Sequence, residues 1–439
     1  MESYFKVIEG NDVVLKKLSL KKNIAWTLAG SIIYSVTQWL LLIVIAKLGT
    51  PEMVGQYALG LAITAPVVML TDMKLRLSLV TDAKTSFQFE HYLGTRIFST
   101  IISLIIFILI VLLFGYEFHT SMIIILIGLA KLPEAVSDIF HGLLQKHERM
   151  DFCTISNIIK GVLTVIVFAI ILYSTQDLIL AIIGQLLVWT LILLFYDGRI
   201  AKQYTAIKIS FHLPKIKELT KLTIPLGFMG LLTSFNTNIP SYFIEHFLGK
   251  EELGYFVALY YILLAGNRVA NSLKQPAAPR LAVLYQIEDK SGYKKLLIIL
   301  IGLGLLMGLG VLFIAYVFGD ILLTLIYTPS YAAYTGLFIA LMIAGIFNYP
   351  STFLSTAIIA TRHFKSQPYL AALWVFVSVI GCIIFIPLFG VIGAALAVIL
   401  SSFIEAFSLL IVLISIVKKD KPELGNKRKE STLLEEVSY

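Results

Sequence analysis

One stretch of the sequence carries acidic, basic and imidazole side chains at helical spacing. The side chains are those of Lys131, Glu134, Asp138, His141, Gln145 and Glu148. Steps of three and four residues place all six on one face of a helix. A charge near the centre of a bilayer costs about 2.5–3.5 kcal/mol, so in a membrane span this face must meet protein or water. Two interpretations of Lys131, Glu134 and Asp138 stay open: an internal ion network, or a site that couples transport to a proton or another ion.

Two further stretches carry polar residues, all uncharged except Glu245, with matching steps of four, three and four. The first contains Thr27, Ser31, Tyr34 and Gln38, and the second contains Ser234, Asn238, Ser241 and Glu245. Each set forms a polar stripe on one helical face. Such stripes indicate either a shared hydrated cavity or hydrogen bonds between helices. The candidate cavity residues are Tyr34, Gln38, Asn238, Ser241 and Glu245.

Basic residues within apolar stretches are the candidates for binding an anionic substrate. They are Lys74, Arg76, Lys160, Arg268 and Lys274. Arginine binds phosphate or carboxylate through two parallel hydrogen bonds. For Lys74 and Arg76 the alternative is that the side chains reach toward the membrane interface. For Arg268 this alternative is weaker, because it lies about 24 Å from the outer start of its span at 1.5 Å per residue.

Composition indicates the elements that must hold these residues. The chain has 439 residues, of which 58% are hydrophobic and 14% charged, and its mean hydropathy is +0.88. Soluble domains are about one quarter charged, so this is an integral membrane protein, and its spans are helices because lipid cannot satisfy open backbone groups. Twelve predicted spans cover residues 24–47, 53–80, 96–115, 120–145, 152–173, 178–198, 222–248, 253–280, 296–318, 331–360, 367–388 and 391–417.

Several classes of site are disfavoured. Two cysteines, Cys153 and Cys382, and seven scattered histidines suggest neither a disulfide framework nor a metal centre. The net charge of +8 does not indicate nucleic-acid binding, because the charges sort by predicted membrane side. We therefore predict no metal, no cofactor and no nucleic-acid partner.

The distribution of basic residues predicts the orientation. The two outward turns with a cation carry Lys47 and Lys250. The inward loops carry Lys84, Arg96, Lys146, Arg149, Arg199, Lys202, Lys208, Lys215, Lys217, Lys221, Lys290, Lys294, Lys295, Arg362 and Lys365. By the positive-inside rule both termini are cytoplasmic, which requires an even number of spans.

An internal repeat predicts two halves. "LLLIVIAKLGTPEMVGQYALG" (40–60) is echoed by "IPSYFIEHFLGKEELGYF" (239–256), with Leu48-Gly49 matching Leu248-Gly249 and Gly55 matching Gly254. Six spans separate the copies, so both have the same orientation, as in a parallel repeat about an axis along the membrane normal. We predict an N-terminal six-helix lobe (1–200), a cytoplasmic linker (201–221), a C-terminal six-helix lobe (222–417) and a flexible cytoplasmic tail (418–439).

Four stretches resemble a known family. "LRLSLVTDAK" (75–84), "SDIFHGLLQKHERMD" (137–151), "IPSYFIEHFLGKEELGYF" (239–256) and "AGNRVANSLKQPAAPRLA" (265–282) resemble bacterial oligosaccharide flippases, the Wzx-like polysaccharide-biosynthesis branch of the multidrug/oligosaccharidyl-lipid/polysaccharide (MOP) exporter superfamily. The resemblance runs from the first predicted span to the twelfth.

The resemblance implies a fold, a substrate and a location. It implies a MATE-like bundle in the bacterial plasma membrane that alternates between inward-open and outward-open states. The substrate it implies is a polyprenyl-diphosphate-linked oligosaccharide, moved out of the cytoplasmic leaflet for surface polysaccharide assembly, with membrane lipids, a glycan polymerase and glycosyltransferases as partners. Arg268 and Lys274 occupy positions where small or uncharged residues are expected, which suggests an acidic glycan.

Two alternatives stay open. A cation-coupled multidrug antiporter of the same superfamily would need a deep acidic residue in the N-terminal half, for which Asp72 and Glu134 are the candidates. A membrane-embedded glycan polymerase or ligase would usually carry a sizeable outer loop, whereas the longest outer turn here is about 317–331.

Overall fold

The protein is almost entirely helical. The computed structural model describes residues 8–9, 12–13, 18–82, 87–361 and 367–419. Two short antiparallel strands of two residues each come first, β1 (Ile8–Glu9) and β2 (Asp12–Val13). The helices are α1 (Leu20–Leu48), α2 (Pro51–Asp72), α3 (Leu75–Thr81), α4 (Phe89–Phe114), α5 (Phe118–Lys146), α6 (Met150–Thr175), α7 (Leu178–Ile192), α8 (Gly198–Ala201), α9 (Leu213–Leu248), α10 (Lys250–Gln286), α11 (Lys290–Ile326), α12 (Pro329–Ala332), α13 (Thr335–Ala360) and α14 (Gln367–Lys419).

The helix lengths fit a bilayer. Within the described ranges, nine helical segments are long and apolar enough to cross a membrane. Two other long helices, α5 and α9, carry the polar stripes that lower their hydropathy. The last of the nine segments, in α14, is interrupted at Gly390, whose φ of 59° and ψ of −141° are not helical. Counting its two arms separately gives twelve long helices, so the predicted all-α membrane architecture is confirmed.

Local sequence explains where helices begin. The Thr50 side chain accepts a hydrogen bond from the Met53 amide at 3.3 Å, and Pro51 occupies the first turn of α2, where no amide proton is needed. The Asp177 carboxylate likewise accepts from the Ile179 amide at 2.7 Å and caps α7. These two caps satisfy backbone donors that would otherwise be left without partners at a helix start.

One predicted span is broken. Met73 and Lys74 both adopt left-handed backbone conformations, with φ of 50° and 48°. Such conformations are uncommon for residues other than glycine, asparagine and aspartate. They end α2 and restart the chain as α3. Lys74 is consequently exposed at the break, whereas Leu75 is fully buried.

The described residues pack as two compact units. The first comprises Met1–Tyr261, Asp320–Thr335 and Ile386–Val391, and the second comprises Ile262–Gly319, Gly336–Phe385 and Ile392–Tyr439, in each case for the described residues. The lobe boundaries expected from the repeat stay a prediction. In the first unit α9 packs along α2: Tyr242 Oη donates to the Ala62 carbonyl, and a Cβ atom added to Gly227 would overlap the Leu70 carbonyl.

The second unit is held by buried tyrosines and close helix crossings. Tyr349 Oη donates to the Leu263 carbonyl at 3.2 Å, and Tyr293 Oη donates to the Ala357 carbonyl at 3.1 Å. A Cβ atom on Gly266 would overlap the Tyr349 ring, so the α10 backbone approaches α13 closely at this glycine. Small residues allow such approaches in membrane bundles.

Several observed bounds differ from the predicted ones; α11, for example, covers Lys290–Ile326 instead of 296–318. Helix α9 begins at Leu213, nine residues before the predicted start at 222, because Pro214 is tolerated in a first helical turn. Arg96, predicted in an inward loop, lies in the second turn of α4 and is buried. Lys84, Arg362, Lys365 and residues 420–439 of the predicted tail lie outside the described residues.

Candidate functional site

The charged row on α5 is met by side chains from other helices of the first unit. Glu134 accepts a hydrogen bond from Tyr34 Oη of α1 at 2.8 Å. It also accepts one from Lys131 Nζ at 2.8 Å. The Lys131 ammonium lies 5.1 Å from the centre of the Trp189 ring, within range of a cation–π interaction. The structure therefore brings together three residues that the sequence predicted for two separate roles.

Asp138 of α5 bridges two arginines from other helices. Its Oδ1 lies 3.0 Å from Arg76 Nη1, and its Oδ2 lies 3.5 Å from Arg96 Nη2. Arg96 Nη1 lies 2.5 Å from Asp72 Oδ1, and its side chain is only 1% exposed. Arg76 Nε also donates to Gln145 Oε1 at 2.9 Å. Two carboxylates thus balance two guanidinium groups.

This balance bears on Arg76, whose role as a substrate cation stays a prediction. The sequence placed Arg76 in the cavity wall as a cation available to an anionic substrate. The structure instead pairs its charge with Asp138, which supports the internal-network interpretation of Asp138. A guanidinium that already has a carboxylate partner attracts a further anion less strongly.

A small polar cavity adjoins this network. It has a volume of about 10 Å³, which suits one water molecule. Its lining includes Thr71, Asp72, Arg96, Thr100, Ser103 and Lys131. The Nε atom of Arg96 is buried and has no hydrogen-bond partner among the described residues. Water in the cavity could hydrogen-bond to these hydroxyl and charged groups.

Lys160 belongs to a second buried ion cluster. Its Nζ lies 2.7 Å from Asp197 Oδ2 and also donates to Ser137 Oγ. His141 Nε2 lies 3.4 Å from Asp197 Oδ1, and Ser137 donates to the same carboxylate. The side chains of Lys160 and Asp197 are 4% and 1% exposed. Lys160 is therefore a buried partner of Asp197, and its role as a cavity cation stays a prediction.

A local irregularity positions Asp197. Residues Leu193–Asp197 form a π-helical turn between α7 and α8. A π-helical turn has one more residue per hydrogen-bonded ring than an α-helical turn, so it rotates the side chains that follow it. Here it accompanies the placement of a carboxylate inside the helix bundle, beside α5 and α6.

The polar stripe of α9 keeps the predicted spacing but largely bonds within its own helix. Asn238 Nδ2 donates to the Ser234 carbonyl at 2.8 Å, and Ser241 is buried. Glu245 is half-buried near the end of the helix. On α1, the buried Nε2 atom of Gln38 has no partner among the described residues. Gln38 is the stripe residue that keeps an unused donor.

The remaining predicted cations lie on α10 and at the α2 break. Arg268 is exposed and forms no ion pair with any described residue, and Lys274 is half-buried. Both belong to the second unit. Lys74, in the first unit, is exposed. Of the five predicted substrate cations, these three have no carboxylate partner in the part of the chain that the structure describes.

Sequence reasoning missed two central residues. Arg96, counted among the inward-loop cations at the first residue of a predicted span (96–115), lies inside α4. Asp197 was not singled out at all, although an acidic residue within an otherwise apolar predicted span (178–198) is itself a signal that lipid cannot surround it. Both residues are nearly fully buried and each pairs with an oppositely charged residue.

The sequence of the chain is similar to those of proteins of polysaccharide biosynthesis. The family model described as "Polysaccharide biosynthesis protein" matches residues 20–285. The capsular polysaccharide biosynthesis protein CapF of Staphylococcus aureus is 31% identical over 389 residues, which cover 88% of this chain and 97% of CapF.

Two solved structures are similar in fold. One is a multidrug resistance transporter of the MATE family in the MOP superfamily, in an inward-facing conformation, with a TM-score of 0.71, 12% identity and coverage of 93% of this chain and 100% of the transporter. The other is the lipid II flippase MurJ in an inward closed conformation, with a TM-score of 0.71, 15% identity and coverage of 89% of this chain and 87% of MurJ. At these identities they show the fold. The family match and the CapF similarity show family membership as well: the chain belongs to the polysaccharide biosynthesis protein family.

Proposed function

We propose that the protein moves polyprenyl-diphosphate-linked oligosaccharide repeat units from the cytoplasmic to the outer leaflet of a bacterial plasma membrane, for surface polysaccharide assembly. The proposal rests on family membership and on the name of CapF, a capsular polysaccharide biosynthesis protein. The fold similarity to a lipid II flippase is consistent with a lipid-linked substrate. The transport step makes and breaks no covalent bond, so we assign no catalytic residue.

Physical chemistry explains why such a substrate needs a protein. Moving a sugar through hydrocarbon removes hydrogen bonds to water, at a cost of several kcal/mol for each polar group. A hydrated path through the protein lowers this barrier while the polyprenyl chain stays in lipid. The diphosphate carries about two negative charges, and an inside-negative potential of 100 mV favours their outward movement by about 4–5 kcal/mol.

The assignment of an anionic substrate rests on one observation, the exposure of Arg268 within its helix. This residue lies within a membrane-spanning helix, it is exposed, and no described carboxylate balances it. A guanidinium in hydrocarbon is costly, so an exposed one must meet water or an anion. Its planar group binds a diphosphate through paired hydrogen bonds. We assign Arg268 and Lys274 of the second unit to diphosphate binding, and Lys74 of the first unit stays a candidate cation for the substrate.

Polar residues of the first unit are assigned to the sugar. Asn238, Ser241 and Gln38 offer amide and hydroxyl groups that suit sugar hydroxyls, and the Nε2 donor of Gln38, buried in this structure, has no partner among the described residues. Tyr34 and Glu245 complete the proposed lining. Lys131, Glu134 and Asp138 are assigned to coupling, because protonation of either carboxylate would release a cation from its ion pair. We propose that the two six-helix lobes, 1–200 and 222–417, alternate around this path and that both termini are cytoplasmic.

Reconstitution into liposomes tests the proposal. A short polyprenyl-diphosphate oligosaccharide is placed in the membrane, and the rate at which its sugar becomes accessible on the opposite side is measured. Wild-type protein should accelerate this rate, Arg268→Gln should lower it at least tenfold, and Arg268→Lys should retain part of it. An organic cation is the comparison substrate. Transport of the cation without movement of the glycolipid would overturn the proposal in favour of a multidrug antiporter.

A further inference from the structure

The segment between α8 and α9 (202–212) has no helix or strand of its own and is held against α4. The Ser210 amide donates to the Glu90 carbonyl at 3.3 Å. A Cβ atom added to Gly94 would overlap the Ser210 carbonyl oxygen, so the two backbones are in direct contact. Tyr204 and Ile207 pack against the buried cluster that contains Leu75, among other apolar residues. The path of this segment is therefore fixed by the fold.

Apolar side chains nevertheless point outward from this segment. Ile209, Phe211 and Leu213 are 50%, 56% and 68% exposed. They alternate with the exposed polar side chains of Lys208 and His212. Packing within the protein does not account for these three apolar residues, since Ile207 and Ser210 already make the inward contacts of the same segment.

The first turns of α9 continue the same pattern. Ile216, Leu219 and Thr223 are buried on one face. A neighbouring outward face carries Leu213, Lys217, Lys221 and Ile224, all exposed and spaced by four, four and three residues. Basic and apolar side chains thus share one outward surface, which we call the linker surface: Lys208, Ile209, Phe211, Leu213, Lys217 and Lys221.

Helix α4 gives the depth of this surface in the membrane. Its uncharged, mainly apolar run extends from Ile97 to Phe114 and is interrupted by Ser99, Thr100 and Ser103. These residues span about 27 Å, close to the hydrocarbon thickness of about 30 Å. Gly94 precedes the run by three residues, or about 4.5 Å. The headgroup region extends about 5–7 Å beyond the hydrocarbon on each side, so Ser210, in contact with Gly94, lies at the level of the lipid headgroups.

The exposed charges of the linker surface are positive. Lys208, Lys217 and Lys221 are exposed. The nearby acid Glu218 is already paired with Lys215 at 2.9 Å. Lys215 Nζ also lies 5.4 Å from the Phe87 ring centre, so this lysine is directed toward the protein. The three remaining lysines are thus available to an anion.

We propose that the linker surface is a binding site for anionic phospholipid. The lysines would contact lipid phosphates while Ile209, Phe211 and Leu213 enter the boundary between headgroups and acyl chains, as in interfacial amphipathic segments. A basic residue near an anionic membrane surface contributes about 1 kcal/mol. The site concerns resident membrane lipid and does not depend on the transported substrate.

Thermal unfolding of the purified full-length protein in detergent tests this site. The protein is titrated with short-chain phosphatidylglycerol or phosphatidylcholine, and the concentration giving half of the stabilisation is measured. Wild type should respond at a much lower concentration of the anionic lipid. Each lysine removed should raise that concentration about fivefold, because about 1 kcal/mol corresponds to that factor. The Lys208→Gln/Lys217→Gln/Lys221→Gln variant should lose the preference, and the corresponding arginine variant should keep it.

Two controls separate a defined site from diffuse attraction. The first is Lys290→Gln/Lys294→Gln/Lys295→Gln, which removes three exposed lysines from the start of α11 and should change the half-saturating concentration less than twofold. The second is Phe118→Ser, which removes an exposed aromatic at the other end of the bundle, compared with Phe211→Ser. Equal losses in the two lysine variants, or no anionic preference in wild type, would overturn the proposal. The preference of the wild-type protein for the anionic lipid should also disappear in high salt, because salt screens surface charge.

Discussion

Gly55 of α2 and Gly254 of α10 contact each other reciprocally. A Cβ atom on Gly55 would overlap the carbonyl oxygen of Lys250, and a Cβ atom on Gly254 would overlap the carbonyl oxygen of Pro51. Each carbonyl belongs to the residue four positions before the opposite glycine. The two helices therefore cross with local two-fold symmetry at their first turns. The internal repeat in the sequence matched these same two glycines.

Other polar contacts gather at this end of the first unit. Lys250 Nζ lies 2.5 Å from Glu117 Oε2, and this hydrogen bond and charge lower the pKa of the Glu117 carboxyl below its ordinary value. Lys47 Nζ donates to the Leu325 carbonyl at 2.9 Å. The two cations predicted for the outward turns thus both bind groups from distant parts of the chain. These contacts and the glycine crossing lie together at the predicted outer end of the first unit.

Substitution of either glycine should destabilise this crossing. In Gly55→Ala or Gly254→Ala the new methyl group meets a backbone carbonyl, which cannot rotate away, so the helices must separate. We expect a loss of about 1–3 kcal/mol, the usual cost of overpacking, visible as a lower unfolding temperature in detergent. Gly310→Ala is the matched control, because a Cβ atom there meets nothing within 4 Å. An unchanged unfolding temperature in the two crossing variants would contradict the close contact.

The Lys160 and Asp197 pair should matter for stability more than for substrate affinity. Lys160→Met leaves a carboxylate buried without its charged partner, and we expect a loss of about 3–5 kcal/mol. The double variant Lys160→Met/Asp197→Leu removes both charges and should recover much of that loss. Unfolding temperature and the yield of folded protein are the measurements.

An exposed pair gives the comparison. Lys215→Met breaks the ion pair with Glu218, whose side chains are 39% and 59% exposed, and should cost at most about 1 kcal/mol. If Lys160→Met were no worse than Lys215→Met, or if the double variant were worse than the single one, the buried pair would not have the role assigned to it.

Sequence periodicity predicted the helices well because membrane spans are long and strongly apolar. The spacing of Lys131, Glu134 and Asp138 also placed charged side chains on one face of α5, where the structure finds them paired. What the sequence could not provide was the identity of the partners. Arg76 and Arg96 both reach Asp138 from other helices, and such contacts depend on how the helices pack.

The break between α2 and α3 was unpredictable for a related reason. Met73 and Lys74 are neither glycine nor proline, so no local signal indicates their left-handed conformations. The contacts around them account for the break: Leu75 is buried in the cluster next to Met73, and the following turn directs Arg76 toward Asp138. Tertiary packing here outweighs local backbone preference.

Arg76 and Arg268 should behave differently when neutralised. Arg76→Gln leaves Asp138 with the more distant Arg96, so we expect a lower unfolding temperature. Arg76→Gln/Asp138→Asn removes one charge of each sign and should be less destabilised than Asp138→Asn alone. Arg268→Gln has no described ion pair to break and should unfold like wild type. A large stability loss in Arg268→Gln, with none in Arg76→Gln, would reverse these assignments.

The Lys131, Glu134 and Tyr34 contact tests whether transport is coupled to protons. Glu134→Gln removes the charge that holds Lys131 and cannot be protonated further, so a proton gradient should no longer stimulate glycolipid movement in liposomes. Stimulation by an imposed membrane potential should persist, because the substrate itself carries charge. Tyr34→Phe removes only a hydrogen bond, worth about 1 kcal/mol, and should keep the response to the proton gradient. An identical response of wild type and Glu134→Gln to the proton gradient would limit the contact to a structural role in the first unit.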